Sequence, residues 1–241
     1  MSTPLLIQRE DRVIRLTLNR PEARNRLDRA LSGALAAALR EADGDRRAGA
    51  VLIEAAGPVF CEGLDQDDPP EPEAELFRWE SWPAKPVVAA VQGPCLAEGL
   101  GLLAGAHAVL ASQGVQFGLT GIRQGAFPFL VFDALARAIG ERRTAELALT
   151  GRLFAAPEAK SIGLVHEVCP AFELEDRAAH TAHYLSALSP DVARRGLEFM
   201  RGLRGRAADA ERENRASADY AEGLRALREG RPPRWPSLSG G

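Results

Sequence analysis

Two stretches of this chain carry residues suited to stabilising a developing negative charge on oxygen. In 87–101, VVAAVQGPCLAEGLG, a β-branched apolar run breaks at Gly93-Pro94 and restarts as a small-residue helix opening with Ala97-Glu98-Gly99. Backbone N–H groups at a buried helix start have no partner inside the helix, so this layout offers a site for an anion or an oxyanion. In 57–65, GPVFCEGLD, the apolar strand 51–54 runs into a glycine-containing turn with acidic residues. Two such loops can supply one donor each to the same oxygen. Cys61 adjoins one of them, but no histidine stands at a recognisable spacing to activate its thiol, which argues against thiol catalysis.

The elements that must position these loops can be read from pattern. Leu5-Leu6-Ile7 followed by 12–18, RVIRLTL, reads as a hairpin with Glu10-Asp11 at the turn, ended by Pro21. Leu31, Leu35 and Leu39 recur at helical spacing over 28–43, an amphipathic helix fit to cover a sheet. Apolar strands at 51–54 and 87–91 alternate with helical segments in the α/β manner. The acidic, proline-rich run 66–75 cannot continue a strand and reads as a mobile loop beside the pocket. Further helices are expected at 100–106, 129–139, 142–149 and 157–162, the last with proline at an early position, and after about 180 the chain looks wholly helical.

Composition narrows the function classes. The 241 residues suit one compact domain with a sizeable core and an appended helical segment, without internal repeats. Thirty basic against 33 acidic residues leave a net charge of −3, which gives no nucleic-acid surface. The basic residues are almost all arginine, which suits bidentate phosphate contacts and equally fits a bias in genome composition. Cys61, Cys95 and Cys169 lie far apart and are odd in number, against a disulfide framework or a metal site and for a reduced, cytoplasmic setting. No apolar run has transmembrane length, and no secretory signal opens the sequence, so no membrane partner is expected.

Further landmarks accompany the two loops: NRPEARN at 19–25, AKPV at 84–87, QFG at 116–118, LTG at 149–151, APEAK at 156–160, GLV at 163–165 and GRPPRW at 230–235. With these, the chain resembles the crotonase superfamily, also called the enoyl-CoA hydratase/isomerase family, over nearly its whole length. The resemblance implies an α/β fold, a crotonase-like ββα spiral over 1–180 with a C-terminal helical trimerisation segment over 181–241. It also implies an acyl-CoA thioester as substrate, no further cofactor, and assembly as a homotrimer or dimer of trimers.

Carried over by position, the resemblance puts the two oxyanion donors on the backbone N–H groups of Glu62 and Glu98, where relatives usually have Ala or Gly. The two catalytic glutamates of the hydratases fall on Gly101 and Gly121, neither of which can transfer a proton. Pro128, followed by Phe129, Leu130 and Val131, does not supply the acid used by other branches. The carboxylates of Glu98, one helical turn before Gly101, and of Glu62 are therefore the candidate acid/base pair, against the plainer role of Glu98 as a first-turn glutamate favoured by the helix dipole. Arg24, flanked by Arg20 and Arg26, is the candidate for the CoA phosphates, and Gly63, Leu64, Asp65, Gly99, Phe117 and Phe127 complete the expected substrate-binding set. Asp65 also suits stabilisation of the following turn, and the phenylalanines suit core packing. His107 reads as a core or capping residue, and His166, His180 and His183 as superficial. The rival reading is an acyl-CoA-binding protein without hydratase chemistry.

Overall fold

The computed structural model describes residues 3–71, 75–78, 82–188, 193–194, 196–197, 215–231 and 234. The first two strands, β1 (Leu5–Glu10) and β2 (Val13–Leu18), pair antiparallel in full register, with Asp11 at φ 50° in a turn one residue later than expected. From there β3 (Ala50–Ala55), β4 (Val87–Val91), β6 (Ala108–Ser112) and β9 (Glu167–Cys169) add in parallel, giving the order β1-β2-β3-β4-β6-β9. A smaller sheet sets β7 (Gln116–Gly118) between β5 (Cys95–Leu96), its parallel neighbour, and β8 (Leu153–Ala155), its antiparallel one.

The central strand β4 is buried at every position, as a parallel strand covered on both faces must be, and this is why it reads as an unbroken apolar run. One face of the sheet, with Leu16, Val51, Ile53, Val87 and Ala89, packs under α1 (Arg29–Gly44), whose Leu31, Leu35 and Leu39 are buried. Asp28 starts that helix by accepting the Leu31 N–H at 2.7 Å. The opposite face, with Val13, Leu52, Val88 and Leu110, is covered by Leu174, Ala178 and Ala182 of α6 (Leu174–Ser186). A division of the chain at residue 180 falls inside this helix, which is packed on the sheet along its length.

Four shorter helices complete the core: α2 (Gly99–Gly105), α3 (Phe129–Ile139), α4 (Glu141–Thr150) and α5 (Ala156–Ser161), each within a residue or so of its expected position. Of the acidic run, 66–71 is described and holds neither strand nor helix, but Asp68 and Glu71 pair with Arg29 and tie it to α1; residues 72–74 lie outside the described residues.

Of the expected C-terminal helical segment, α7 (Ala218–Glu229) is described, capped by Ser217, which accepts the Tyr220 N–H at 3.1 Å. It seats on the 3-10 turn Thr120–Gln124 so closely that a Cβ at Gly223 would stand 1.7 Å from the Gln124 carbonyl oxygen. The GRPPRW landmark is anchored here: the buried Glu222 carboxylate accepts from Arg231 at 2.7 Å, from the Arg234 N–H at 2.8 Å and from Arg225, which holds it well below the usual carboxylate range. Pro232, Pro233 and Trp235 lie outside the described residues.

Gly93 is where the main sheet hands over to the functional loops, and a Cβ there would lie 1.9 Å from the Pro58 carbonyl oxygen. Both partners are backbone and cannot swing away, so Gly93→Ala is expected to cost about 1–3 kcal/mol. Gly33→Ala, on the exposed face of α1 with nothing within 4 Å of the new methyl, is expected to gain about 0.5–1 kcal/mol. Urea-unfolding midpoints of the two variants check the contrast.

Candidate active site

The two loops are held together by backbone pairing. Cys61 and Cys95 form a parallel bridge, the Leu96 N–H donates to the Cys61 carbonyl at 2.8 Å, and the Phe60 N–H donates to the Pro94 carbonyl at 3.1 Å. A third segment, 20–27, closes against the first loop: the Leu27 N–H donates to the Gly63 carbonyl at 2.8 Å and the Asp65 N–H to the Leu27 carbonyl at 3.0 Å. Its own shape is set by Asn25, which is fully buried at φ 51°. The Asn25 side chain accepts the Arg20 N–H at 2.8 Å and donates to the carbonyls of Ala56 and Val59 at 2.9 and 2.8 Å.

Glycines permit the close approach. Gly63 lies at φ 93°, and a Cβ there would meet the Ala97 methyl at 2.8 Å and a Glu98 carboxylate oxygen at 3.0 Å. A Cβ at Gly99 would stand 2.9 Å from the Cys61 carbonyl oxygen. Ala97, with its N–H given to the Gly118 carbonyl at 2.8 Å, sits at φ 47°, a left-handed conformation that costs an alanine about 1–2 kcal/mol.

This geometry decides which N–H groups face the site. The Glu62 N–H is taken by the Arg24 carbonyl at 3.2 Å, inside the loop, and does not point where the expected first donor should. Because Gly63 turns the chain at positive φ, the next N–H, that of Leu64, is the one presented, and it donates to the Glu98 carboxylate at 3.3 Å. The backbone N–H of Glu98 itself also favours the ionised form of this carboxylate. From the first loop it is thus Leu64, not Glu62, whose N–H faces the start of the second loop, where the Glu98 carboxylate receives it. The signal for Leu64 lay in the glycine before it, since the amide that follows a positive-φ turn is the one redirected.

The two glutamates have separated fates. Glu98 is 8 % exposed, and burial raises its carboxyl above the ordinary value, opposed by its two N–H donors and by the charge of Arg215. Glu62 instead pairs with Arg24 at 2.6 Å on the partly exposed rim. It therefore does not share a buried site with Glu98, and Arg24, the expected phosphate contact, has its guanidinium on this carboxylate. Asp65 pairs with Arg20 at 3.2 Å and accepts the Asp67 N–H at 3.3 Å, while Arg20 also pairs with Asp28 at 3.0 Å. These contacts fix the turn into α1.

Phe117 is fully buried, stacked on Phe154 with ring centroids 5.6 Å apart, and so is core with no surface to offer a ligand. Phe127 is only partly buried and clusters with Phe129 and Phe132 at 4.9 and 5.5 Å. Gly121 occupies the turn Thr120–Gln124, where a Cβ would come within 2.9 Å of the Ala126 carbonyl oxygen, and Gly101 is buried in α2. Burial pushes the Cys61 thiol up to about 12, which leaves it unreactive. His107 and His166 each accept a backbone N–H through Nδ1, from Val87 and Val109 at 3.0 Å, as caps at the starts of strands.

The fold agrees with comparison to known proteins. A putative enoyl-CoA hydratase of Thermus thermophilus is 33% identical over 240 residues, covering 90% of this chain and 95% of that one. A mevalonyl-coenzyme A hydratase of Aspergillus fumigatus is 30% identical over 92% of this chain and 91% of its own. Among solved structures, an enoyl-CoA hydratase/isomerase from Pseudoalteromonas atlantica superposes with a TM-score of 0.87 at 31% identity, covering 96% and 99% of the two chains. A carnitinyl-CoA hydratase from Mycobacterium avium gives 0.89 at 26% identity, covering 98% and 100%. Residues 8–237 match the family described as enoyl-CoA hydratase/isomerase. With its crotonase fold and nearly full-length matches, the chain belongs to the enoyl-CoA hydratase/isomerase family.

Proposed function

We propose that this protein is an acyl-CoA thioester-processing enzyme of the hydratase or isomerase type, in which the N–H groups of Leu64 and Glu98 bind the thioester oxygen as it becomes an enolate. The observation that carries this reading is the Leu64 N–H, aimed by the positive-φ Gly63 across to the buried start of the second loop, where it meets an oxygen of the buried Glu98. Preorganised donors of this kind contribute on the order of 3 kcal/mol each to the barrier, because the site need not reorganise as charge develops.

Proton transfer falls to Glu98. It is the buried carboxylate at the donor pair, whereas Gly101 and Gly121 carry no ionisable group and Glu62 is paired with Arg24. Its raised proton affinity, caused first by burial, brings it closer to the working range of a general acid or base. The partly buried Phe127, Phe129 and Phe132 are the natural apolar wall for an acyl chain. Assembly as a homotrimer or dimer of trimers belongs to the same reading, supported by large apolar side chains left on the surface of one chain, Leu149 at 67 % and Phe172 at 83 % exposure.

The glycines at 101 and 121 favour the second reading, a protein that binds acyl-CoA without turning it over. Incubation with a panel of 2-enoyl- and 3-enoyl-CoA thioesters, followed by enoyl absorbance and product mass, separates the two. Turnover is expected, reduced about 10²–10⁴-fold by Glu98→Gln and less than tenfold by Glu62→Gln. Binding of the thioesters without turnover by the unaltered protein would leave the binding reading.

The pH profile of kcat gives an independent check. Because burial raises the Glu98 carboxyl, the acidic limb for a Glu98 base should lie above the ordinary carboxylate range, with activity rising as pH climbs through it, and should vanish in Glu98→Gln. Light scattering after size exclusion should give three or six times the mass of one chain.

A further inference from the structure

The amides that this reading assigns to the thioester oxygen are already occupied. The Leu64 N–H donates to the Glu98 carboxylate at 3.3 Å, the backbone N–H of Glu98 favours the same charged group, and the residue is only 8 % exposed. Its position is enforced: Gly63 leaves room for the carboxylate oxygen, which would stand 3.0 Å from any Cβ there. A carboxylate oxygen and a thioester oxygen want the same donors, and two N–H groups cannot serve both at full strength.

We propose that the Glu98 carboxylate is a built-in occupant of the oxyanion site, evicted by the incoming thioester oxygen, and that eviction is what prepares it to take the substrate proton. The inference rests on the acyl-CoA reading above. Before binding, the Leu64 N–H and the backbone N–H of Glu98 favour the ionised form of the carboxylate against its burial. After eviction it keeps its burial and loses both donors, so its affinity for a proton rises at the moment the substrate arrives. The groups around it do not undo this. The Cys61 thiol stays neutral, Glu62 on the same loop is a like charge paired with Arg24, and Arg215, the cation whose field reaches Glu98, also donates to the Pro70 carbonyl at 2.7 Å. An oxygen that gains charge on enolisation competes better for these N–H donors than a weakly basic carbonyl, while the cost of displacing the occupant is common to both.

Butyryl-CoA, a saturated thioester with nothing to hydrate, is the probe. Its binding is measured by isothermal titration calorimetry in two buffers of different ionisation enthalpy, which counts the protons taken up. The unaltered protein is expected to take up protons on binding near the Glu98 titration. Glu98→Gln keeps an acceptor oxygen for the Leu64 N–H but cannot titrate, so the uptake should disappear while affinity changes less than threefold. Glu98→Gly removes the occupant, so uptake should disappear and Kd should fall about tenfold. Uptake persisting in Glu98→Gln, or a Glu98→Gly variant that binds no tighter than the unaltered protein, would overturn this proposal and leave the thioester reading standing. No binding of butyryl-CoA or of the enoyl-CoA panel by any of the three proteins would overturn both.

Discussion

The close approach of two backbone segments, 57–65 and 93–99, is the constraint from which the rest of the site follows. Gly93, Gly63 and Gly99 each stand where a Cβ would press within 3 Å of the facing loop, and the Cys61–Cys95 bridge pins the loops in register. Packing this tight leaves little room between the loops: the Ala97 methyl and the Glu98 carboxylate fill the space beside Gly63, and the Leu64 amide faces that carboxylate. An amide oriented by its own backbone is a fixed dipole that pays no reorganisation when charge develops opposite it. The apolar strands β3 and β4, buried in the parallel sheet, deliver the two loops side by side at the same sheet end.

The charges are arranged around that contact in two classes. On the rim, Arg24 pairs with Glu62, and an exposed pair of this kind contributes little stability, about 0.2–1 kcal/mol, while the largely buried pairs of Arg20 with Asp65 and Asp28 shape the segment 20–28. Inside, Glu98 is buried, and the Leu64 N–H is its hydrogen-bond donor. A buried carboxylate held by an amide is poised, because whatever takes that amide changes its affinity for a proton.

Much of the fold was legible because it is written locally. The helix 28–43 showed in the spacing of Leu31, Leu35 and Leu39, and β4 in its unbroken apolar run, since burial on one stripe or on both faces imposes that pattern directly. Phe117 and Phe127 looked alike in sequence, as aromatics near small residues, yet one stacks in the core on Phe154 while the other lies partly open beside Phe129 and Phe132. Burial depends on which element arrives from elsewhere, here β8, and no local pattern reports it.

The same division separates the two glycine-bearing loops from the amides they present. By itself the sequence determined that two glycine-bearing turns follow two buried strands, that Glu98 opens a helix beside one of them, and that no glutamate stands at 101 or 121. Only the tertiary structure decided that Leu64 rather than Glu62 presents its N–H and that the Glu98 carboxylate lies on it. The Glu62 amide is claimed by the Arg24 carbonyl, a group far away along the chain, and the Leu64 amide is aimed by the φ of 93° that Gly63 adopts against Ala97. An amide's direction follows from the backbone angles around it and its availability from whichever acceptor the fold brings up, and both are settled when distant segments pack.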